Sequence, residues 1–588
     1  MSLASPCSTD DCLPPITDAL SASIKPTWTS NPCPRCVVSS PHPSPLNEES
    51  VMCIADPVTG PVTLNLNGKG CLNGVAIFDK PNGVIKCYRY GGVPYALSPI
   101  GEQRWKRPRR LPEGYSYGSV GKPGDFTGLS AVCPQKGQSA GKRRSNRGQV
   151  SEDCLQSNIW IPAGKPPEKG WPVWVYLHGG FLQVGSANKE NPSNLFANTD
   201  VKCIIVMPAY RLNVFGFLAS VELLQEAAED EGTVGNLGFW DQRLALEWTF
   251  ENINAFGGDA SNITLGGMSA GAYAVIHQLA YELRLPDGRS LISRVVLWSN
   301  SPGVQPKKLP EVQKQFDELV ATLDIPQELP AKDKLARLRA LSSSQLVTAI
   351  GKMKQNSFRA ITDGHFVRRS LFREIADGRF ADVMLKRGIK VMIGDLPDEA
   401  NVYKKIKPPS SYQSLVDRLS VEYPRSTSKA LARLYCPRKA PLVGGNWQDT
   451  FGRIYTDIQV YVTARGFISA LAKTLPLENI YRYRINHRLQ CVDGIYPREM
   501  GVTHASDITI WFYGNGAEVT ASEQSLLKEY LKPFGEFLRG EQVPWGTQSI
   551  EETRTITSDQ RIEITVDEDW ERGRRVWDAL QSFIASKL

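Results

Sequence analysis

The feature that most constrains the fold is a serine flanked by glycines between a predicted strand and a predicted helix. Residues 267–271 read Gly-Met-Ser-Ala-Gly. The apolar residues 263–265 indicate the end of a buried strand, and residues 272–276 favour a helix. Glycines on both sides let strand and helix approach closely, so the turn holds the serine hydroxyl clear of the sheet. This pattern is typical of a nucleophile elbow, and Ser269 is the candidate nucleophile.

The same pattern occurs a second time without the same surroundings. Residues 114–118 read Gly-Tyr-Ser-Tyr-Gly and follow the Pro- and Arg-rich residues 108–112. No strand signal precedes them, no helical pattern follows them, and Tyr117 is bulky where the turn needs a small residue. We therefore expect Ser116 to lie in a surface loop.

Predicted strands and helices alternate from about residue 60 onward. Four apolar runs predict parallel strands that are buried on both faces: 173–177, 204–207, 295–298 and 391–393. Their alternation with helices predicts an α/β fold, with a mostly parallel central sheet and helices on both faces. Residues 305–388 and 404–470 are rich in helix formers and charge, and predict helical insertions that form a lid. We expect residues 60–588 to make up one catalytic domain.

The composition is that of a soluble globular protein. Of the 588 residues, 41% are hydrophobic and 22% are charged, with a formal net charge of +7. The basic runs 106–110 and 142–144 are interrupted by Pro or lie beside Gly, which favours solvated loops over a nucleic-acid or membrane surface. No apolar run reaches the ~18 residues that a spanning helix needs. We expect neither a nucleic-acid partner nor an integral membrane segment.

Residues 1–59 differ from the rest of the sequence. They are rich in Ser, Pro, Thr and Cys and have no helical or strand period, which predicts a disordered tail. A basic start followed by an apolar core is missing, so we do not expect a secretory signal. A zinc site at Cys7, Cys12, Cys33 and Cys36 is the alternative, disfavoured by uneven spacing without supporting His.

The last three residues carry a predicted address. Ser586, Lys587 and Leu588 form the tripeptide that the peroxisomal import receptor binds. We expect import into peroxisomes, with the cytoplasm as the alternative, and no secretion.

Cys133 and Cys154 bracket a polar loop and could pair if the compartment allowed it. A glutathione-buffered interior would more often keep them as thiols.

A serine nucleophile needs a base, and the sequence has six histidines. His504 lies in a loop of small residues, 501–507, late in the sequence, and is the best candidate. The others fit less well: His42 lies in the tail, His178 in another motif, His277 too far along the helix of Ser269, His365 in an insertion, and His487 at a strand end.

An orienting acid and oxyanion donors complete such a site. Three carboxylates follow the predicted strand 391–393, namely Asp395, Asp398 and Glu399, and the order Ser, acid, His fits each of them. The residues alone leave this choice open. The oxyanion donors are expected at the amide of Ala270 and in the loop 178–181, His-Gly-Gly-Phe, directly after a buried strand.

Six ordered signatures give the sequence a family resemblance. It resembles the type-B carboxylesterases, the cholinesterase-like branch of the α/β-hydrolases, in a fungal-type member, over about residues 60–580. The signatures are Gly-Val-Pro-Tyr-Ala at 92–96, Ser-Glu-Asp-Cys-Leu with Asn-Ile at 151–159, Tyr-Arg-Leu with Phe-Gly-Phe-Leu at 210–218, Gly-Asn-Leu-Gly with Asp-Gln at 235–242, Asn with Phe-Gly-Gly-Asp at 254–259, and the elbow.

The resemblance implies an α/β-hydrolase fold and a catalytic triad. Family members place Ser in the elbow, Glu as the second residue of an Asp-Glu pair, and His in a Gly-x-x-His loop. These positions are Ser269, Glu399 and His504. The resemblance also implies two-step hydrolysis of a small-molecule ester, without metal or organic cofactor.

The oxyanion donors of relatives fall here on Gly180 and Phe181, with Ala270 as the third donor and Gly179 supporting the loop. Three departures from the family stand out. Phe181 replaces a Gly, Met268 stands where many relatives have Glu, and the loop between Cys133 and Cys154 has no aromatic residue. The last departure argues against a quaternary-ammonium substrate. The same two cysteines usually form a disulfide in secreted relatives, which a peroxisomal location disfavours.

Two alternatives to ester hydrolysis remain. The same site would serve acyl transfer to an acceptor other than water, or thioester cleavage, in a peroxisomal or secondary-metabolite pathway. A non-catalytic cholinesterase-like binding protein is less favoured, because all three catalytic positions are intact.

Overall fold

Thirteen strands of the described chain form one sheet, mostly parallel in its centre. The computed structural model describes residues 58–66, 68–79, 82–137, 148–227, 234–286, 290–442 and 445–585. The strand order is β1-β2-β3-β5-β7-β6-β8-β9-β10-β11-β12-β13, with β4 beside β2. The strands are β1 (Val58–Leu66), β2 (Gly70–Phe78), β3 (Ile85–Pro94), β4 (Gly124–Asp125), β5 (Gln156–Pro162), β6 (Trp171–Leu177), β7 (Ile204–Pro208), β8 (Gly258–Met268), β9 (Arg294–Trp298), β10 (Lys390–Asp395), β11 (Ile480–Ile485), β12 (Glu552–Ile556) and β13 (Ile562–Val566).

Helices connect the strands and cover the sheet. They are α1 (Ser193–Asn198), α2 (Asn213–Phe217), α3 (Val221–Ala227), α4 (Leu237–Asn252), α5 (Ala270–Glu282), α6 (Leu309–Thr322), α7 (Ala331–Ala340), α8 (Ser343–Lys352), α9 (Leu371–Ala376), α10 (Arg379–Lys386), α11 (Ala400–Tyr403), α12 (Tyr412–Glu422), α13 (Arg425–Tyr435), α14 (Trp447–Thr456), α15 (Val462–Leu471), α16 (Ile508–Trp511), α17 (Ala521–Arg539) and α18 (Trp570–Ala585).

The parallel pairs run without interruption from β7 through β6, β8, β9, β10 and β11 to β12. Every residue of β6, β7 and β9 is buried, as expected of parallel strands with helices on both faces. The four apolar runs of the sequence lie in β6, β7, β9 and β10. The predicted α/β fold with a mostly parallel sheet is confirmed.

The two segments predicted as insertions are helical in the structure. Residues 305–388 contain α6 to α10, and residues 404–470 contain α12 to α14 and most of α15. At the other end of the sequence, β1 begins at Val58, inside the segment assigned to the tail. The remainder of that tail, with its four cysteines, and residues 586–588 lie outside the described residues. No helix of the described chain is long and apolar enough to cross a bilayer.

An aromatic core joins the sheet to the helix that follows the His504 loop. Trp174 of β6 stacks on Phe512, with ring centroids 5.3 Å apart, and Trp298 of β9 stacks on Trp511 at 5.0 Å. Trp511 and Phe512 lie a few residues after His504. Burial of such rings stabilises a core strongly, so this packing fixes the loop that carries His504 against the centre of the sheet.

Candidate active site

Ser269 occupies the corner between β8 and α5. Its backbone has φ 56° and ψ −123°, a conformation that costs free energy in any residue with a side chain. Hydrogen bonds hold the turn on both sides. The Ser269 amide donates to the Trp298 carbonyl at 2.8 Å, and the Tyr273 amide donates to the Ser269 carbonyl at 3.0 Å. The structure therefore places Ser269 in a strand–turn–helix corner, where the sequence predicts it.

Glycines allow the close approach at this corner. A Cβ on Gly271 would lie 2.0 Å from the Leu177 carbonyl oxygen of β6, and one on Gly267 would lie 2.5 Å from the Gly271 carbonyl carbon. Gly179 of the neighbouring loop is almost as tightly packed, because a Cβ there would lie 3.1 Å from Ser269 Cβ. Side chains at these positions would force strand, helix and loop apart.

The second Gly-x-Ser-x-Gly segment has different surroundings. Ser116 is exposed, and its hydroxyl donates to the Gly118 carbonyl at 2.7 Å within the same turn. Neither a strand before it nor a helix after it is present. The expected surface loop is found at this position.

Ser269, His504 and Glu399 are joined by a continuous chain of hydrogen bonds. The Ser269 hydroxyl donates to His504 Nε2 over 2.7 Å, and His504 Nδ1 donates to Glu399 Oε2 over 2.5 Å. All three side chains are buried. The second carboxylate oxygen of Glu399 accepts from the Leu396 amide at 3.2 Å. Low solvent access strengthens these bonds, and the two that the Glu399 carboxylate accepts are charge-assisted.

Asp398 ties the loop of the acid to the loop of the histidine. The Val502 amide donates to Asp398 Oδ2 at 2.9 Å, the Asp398 amide donates to the Val502 carbonyl at 3.2 Å, and the Thr503 hydroxyl donates to the Asp398 carbonyl at 3.1 Å. Gly501 is required beside this contact, because a Cβ there would lie 2.2 Å from Asp398 Oδ2. Asp398 therefore fixes the distance between Glu399 and His504.

Asp395 faces in another direction, toward two arginines. It forms ion pairs with Arg484 at 2.6 Å and Arg465 at 3.2 Å. The structure thus separates the three carboxylates that the sequence leaves open. Of the three, Glu399 is the one in contact with His504.

A further carboxylate, Asp507, is buried near this cluster. Its Oδ2 accepts from Trp511 Nε1 at 3.1 Å and from the Tyr483 hydroxyl at 3.4 Å. Burial, and next the negative charge of Glu399, raise the pKa of Asp507 to about 7.

The loop after β6 packs against Ser269 at Gly179 and continues into Gly180 and Phe181. Gly180 and Phe181 have φ of 112° and 60°, and their amides donate to no residue of the described chain. Ala270 is the first residue of α5, a position where the amide has no acceptor within the helix. These three residues are those that the sequence predicts as oxyanion donors.

The loop conformation is held by an insertion segment between α8 and α9. Gln183 exchanges two hydrogen bonds with the backbone of Phe358. Its amide nitrogen donates to the Phe358 carbonyl, and the Phe358 amide donates back at 3.0 Å. Arg359 Nη1 donates to the Phe181 carbonyl at 3.0 Å and pairs with Glu422 at 3.6 Å. The positive φ at Phe181 thus has support from a distant part of the sequence.

The remaining described histidines do not reach Ser269 Oγ by a hydrogen bond. His178 stacks on Tyr210 at 4.4 Å and donates to its neighbour's carbonyl, and burial lowers its pKa to about 4. His277 packs against Phe239, and burial lowers its pKa to about 3. His365 is exposed and His487 lies beside Glu523.

Aromatic side chains bound the site on the side of the insertions. The Phe181 ring lies 6.0 Å from the ring of Tyr403 and 6.3 Å from that of Tyr455. Sequence reasoning missed Tyr403, although it lies one helical turn after Glu399, a spacing that places both on one face. It also missed Gln183 and Arg359, for which no local pattern exists, because their partners are remote in sequence.

Cys133 and Cys154 form a disulfide bond, with Cα atoms 5.3 Å apart. Gln135 links the same segment to the loop after β6, since it donates to the Gly185 carbonyl at 2.7 Å and accepts from the Gly185 amide at 2.8 Å. Among the described residues, no group of three or more His, Cys, Asp or Glu side chains is arranged to hold a metal ion.

Comparison with known proteins agrees with this architecture. The model of the Carboxylesterase family matches residues 61–571. A carboxylic ester hydrolase of Gibberella moniliformis is 42% identical over 529 residues, which cover 88% of this chain and 96% of that protein. An uncharacterised esterase/lipase of Schizosaccharomyces pombe is 40% identical over 529 residues, which cover 88% of this chain and 96% of that protein.

Comparison with solved structures identifies the fold. The crystal structure of Aspergillus niger EstA matches with a TM-score of 0.68 at 20% identity, over 89% of this chain and 99% of that one. The predicted α/β-hydrolase fold is confirmed. The predicted resemblance to type-B carboxylesterases is confirmed too, and the chain belongs to the carboxylesterase family.

Proposed function

We propose that this protein cleaves carboxylic esters through an acyl-enzyme, with Ser269, His504 and Glu399 as its catalytic triad. Membership of the carboxylesterase family makes the chain a carboxylic ester hydrolase. The observation that carries the triad is the continuous pair of hydrogen bonds from Ser269 Oγ through His504 to Glu399, at 2.7 and 2.5 Å.

Acylation begins with proton transfer. His504 Nε2 takes the hydroxyl proton as Ser269 Oγ attacks the ester carbonyl carbon, and the carbonyl electron pair moves onto its oxygen. Glu399 stabilises the imidazolium that forms and keeps Nε2 aimed at the serine. His504 then returns the proton to the alcohol oxygen as the carbon–oxygen bond breaks.

The amides of Gly180, Phe181 and Ala270 stabilise the negative oxygen of the tetrahedral intermediate. Such donors act strongly where water is excluded and where they need no reorganisation. The support of Phe181 by Arg359 and of the loop by Gln183 serves this requirement, because a mobile amide would lose the advantage.

Deacylation repeats the steps with water as the nucleophile. His504 removes a proton from water, hydroxide attacks the acyl carbon, and Ser269 leaves with the proton that His504 gives back. The products are a carboxylic acid and the free enzyme. The proposed substrate is a small-molecule ester.

Ser269→Ala tests this assignment. We expect turnover of a p-nitrophenyl ester to fall by several orders of magnitude, because the nucleophile is lost. A fluorophosphonate probe should label the unaltered protein on Ser269 and leave the variant unlabelled. Ser116→Ala is the matched control and should retain activity and labelling. An active Ser269→Ala protein with an inactive Ser116→Ala protein would reverse the assignment.

A further inference from the structure

Tyr403 places a hydroxyl group directly over the imidazole of His504. It is the last residue of α11, one turn after Glu399, and its side chain is buried. The hydroxyl oxygen lies 3.3 Å from Nδ1 and 3.3 Å from Nε2 of His504. The two rings are 5.0 Å apart and inclined at 48°.

This hydroxyl does not form a conventional in-plane hydrogen bond with either ring nitrogen. Nδ1 already bonds Glu399 and Nε2 already bonds Ser269. An oxygen equidistant from the two nitrogens at this range would collide with Cε1 if it lay in the plane of the ring. It therefore lies over the ring face, where it cannot use an in-plane lone pair. Its proton forms no other hydrogen bond with the described chain.

The position of Tyr403 bounds the space in which the tetrahedral centre must form. That centre lies between Ser269 Oγ, His504 Nε2 and the Phe181 amide. The Tyr403 ring contacts both the His504 ring and the Phe181 ring, and its hydroxyl lies 3.3 Å from Nε2, the nitrogen that must return the proton to the alcohol. Burial, and next the negative charge of Glu399, raise the pKa of Tyr403 well above its usual range, so the hydroxyl keeps its proton.

We propose that Tyr403 is a further catalytic residue whose hydroxyl donates a hydrogen bond to the oxygen of the departing alcohol. This inference rests on the proposed function. As the bond from the acyl carbon to that oxygen breaks, its electron pair moves onto the oxygen, and the proton on His504 Nε2 transfers to it. Tyr403 stabilises the charge that develops before the proton arrives and retains its own proton.

Tyr403→Phe, measured across leaving groups, tests the proposal. We first choose the acyl group whose p-nitrophenyl ester the unaltered protein hydrolyses fastest, and then compare its ethyl, phenyl and p-nitrophenyl esters. The measured quantity is kcat/KM, because it covers the steps up to release of the alcohol. We expect a loss of roughly tenfold to a hundredfold for the ethyl ester, less for the phenyl ester, and under about threefold for the p-nitrophenyl ester. Ethoxide needs the donor most, because it is the most basic of the three leaving groups.

Tyr455→Phe is the matched control. Tyr455 packs on Tyr403 with ring centroids 4.9 Å apart, but its hydroxyl bonds Glu422. Any loss in this variant should be equal for the three esters. An equal loss in Tyr403→Phe, or no loss with the ethyl ester, overturns the role proposed for Tyr403.

Fluorophosphonate labelling separates this failure from failure of the proposed function. If Tyr403→Phe is still labelled on Ser269 and hydrolyses p-nitrophenyl esters, the triad stands and the leaving-group series alone decides about Tyr403. If the unaltered protein hydrolyses none of these esters, or Ser269→Ala stays active, the proposed function fails, and the role of Tyr403 fails with it.

Discussion

At the scale of single residues, neighbouring carboxylates take different tasks because they face different partners. Glu399 accepts a hydrogen bond from a histidine, whereas Asp398 accepts one from the Val502 amide and holds the loop. Both residues are acidic, adjacent and close to the same loop, so residue type alone cannot assign their roles. The direction of each side chain assigns them.

Glu399→Gln and Asp398→Asn should therefore have different effects. We expect Glu399→Gln to lower kcat by about 10³- to 10⁴-fold, because an amide neither orients the imidazole correctly nor stabilises its positive charge. The melting temperature should change little. Asp398→Asn should retain much more activity and lose stability, on the order of 1–3 kcal/mol, because it weakens a charge-assisted bond to a backbone amide.

Ester hydrolysis assays and thermal unfolding of both variants decide the matter. A larger loss of kcat in Asp398→Asn than in Glu399→Gln would identify Asp398 as the acid of the triad. Both variants replace a carboxylate by an amide of nearly equal size, so each serves as the control for the other.

Sequence reasoning reached Ser269 and His504 for different reasons. Ser269 is predictable because its chemistry depends on a local strand–turn–helix pattern. His504 was the best candidate among six histidines on chain order and loop context, and the family resemblance added most of the support for it. Glu399 was not predictable from the residues alone, because Arg465 and Arg484, which engage Asp395, are more than sixty residues away in sequence and only the resemblance singled out Glu399.

At the scale of elements, the segment between α8 and α9 contacts the loop after β6 that carries the predicted oxyanion donors. Phe181 and Leu182 both have positive φ, and such conformations persist only where the surroundings enforce them. Two residues hold this conformation. Gln183 on the loop bonds the backbone of Phe358 on the insertion, and Arg359 on the insertion donates to the Phe181 carbonyl. We therefore predict that the insertion supports the proposed oxyanion donors through these contacts.

Gln183→Leu tests this coupling. The substitution keeps the approximate side-chain volume and removes both bonds to Phe358, so we expect the loop to relax. The kcat for a p-nitrophenyl ester should fall roughly tenfold to a hundredfold, as for loss of an oxyanion donor, while fluorophosphonate labelling slows and the fold is retained. Gln327→Leu is the control, since Gln327 is exposed and donates to the Asp317 carbonyl. Equal activity of the two variants would contradict a role of the insertion in the site.

The elements themselves were predictable to different degrees. Apolar runs identified β6, β7, β9 and β10 because strands buried on both faces carry a strong signal. The insertions were predictable as helical but not in their contacts. The loop that carries Phe358 and Arg359 has no regular pattern, and its place beside Phe181 depends on tertiary packing alone.

At the scale of the whole molecule, the disulfide and the predicted targeting signal favour different cellular compartments. Cys133 and Cys154 are bonded in the structure and are 21 residues apart. Closing a loop of this length stabilises a fold by about 3 kcal/mol in the chain-entropy account. Glutathione-buffered compartments seldom keep such bonds. A disulfide between Cys133 and Cys154 is therefore expected to persist in an oxidising compartment, whereas the terminal tripeptide predicts import into peroxisomes.

Imaging a fluorescent fusion resolves this conflict. Residues 586–588 lie outside the described residues, and we propose that they direct the protein to peroxisomes through the import receptor. With the fluorescent protein at the amino end, the signal should coincide with a peroxisomal marker. Deletion of Ser586, Lys587 and Leu588 should leave it diffuse, because the receptor would lose the motif it binds. Appending one further residue after Leu588 is the matched control and should abolish import without removing the tripeptide. A diffuse signal from all three fusions would refute the peroxisomal location, and the cytoplasm would become the favoured alternative.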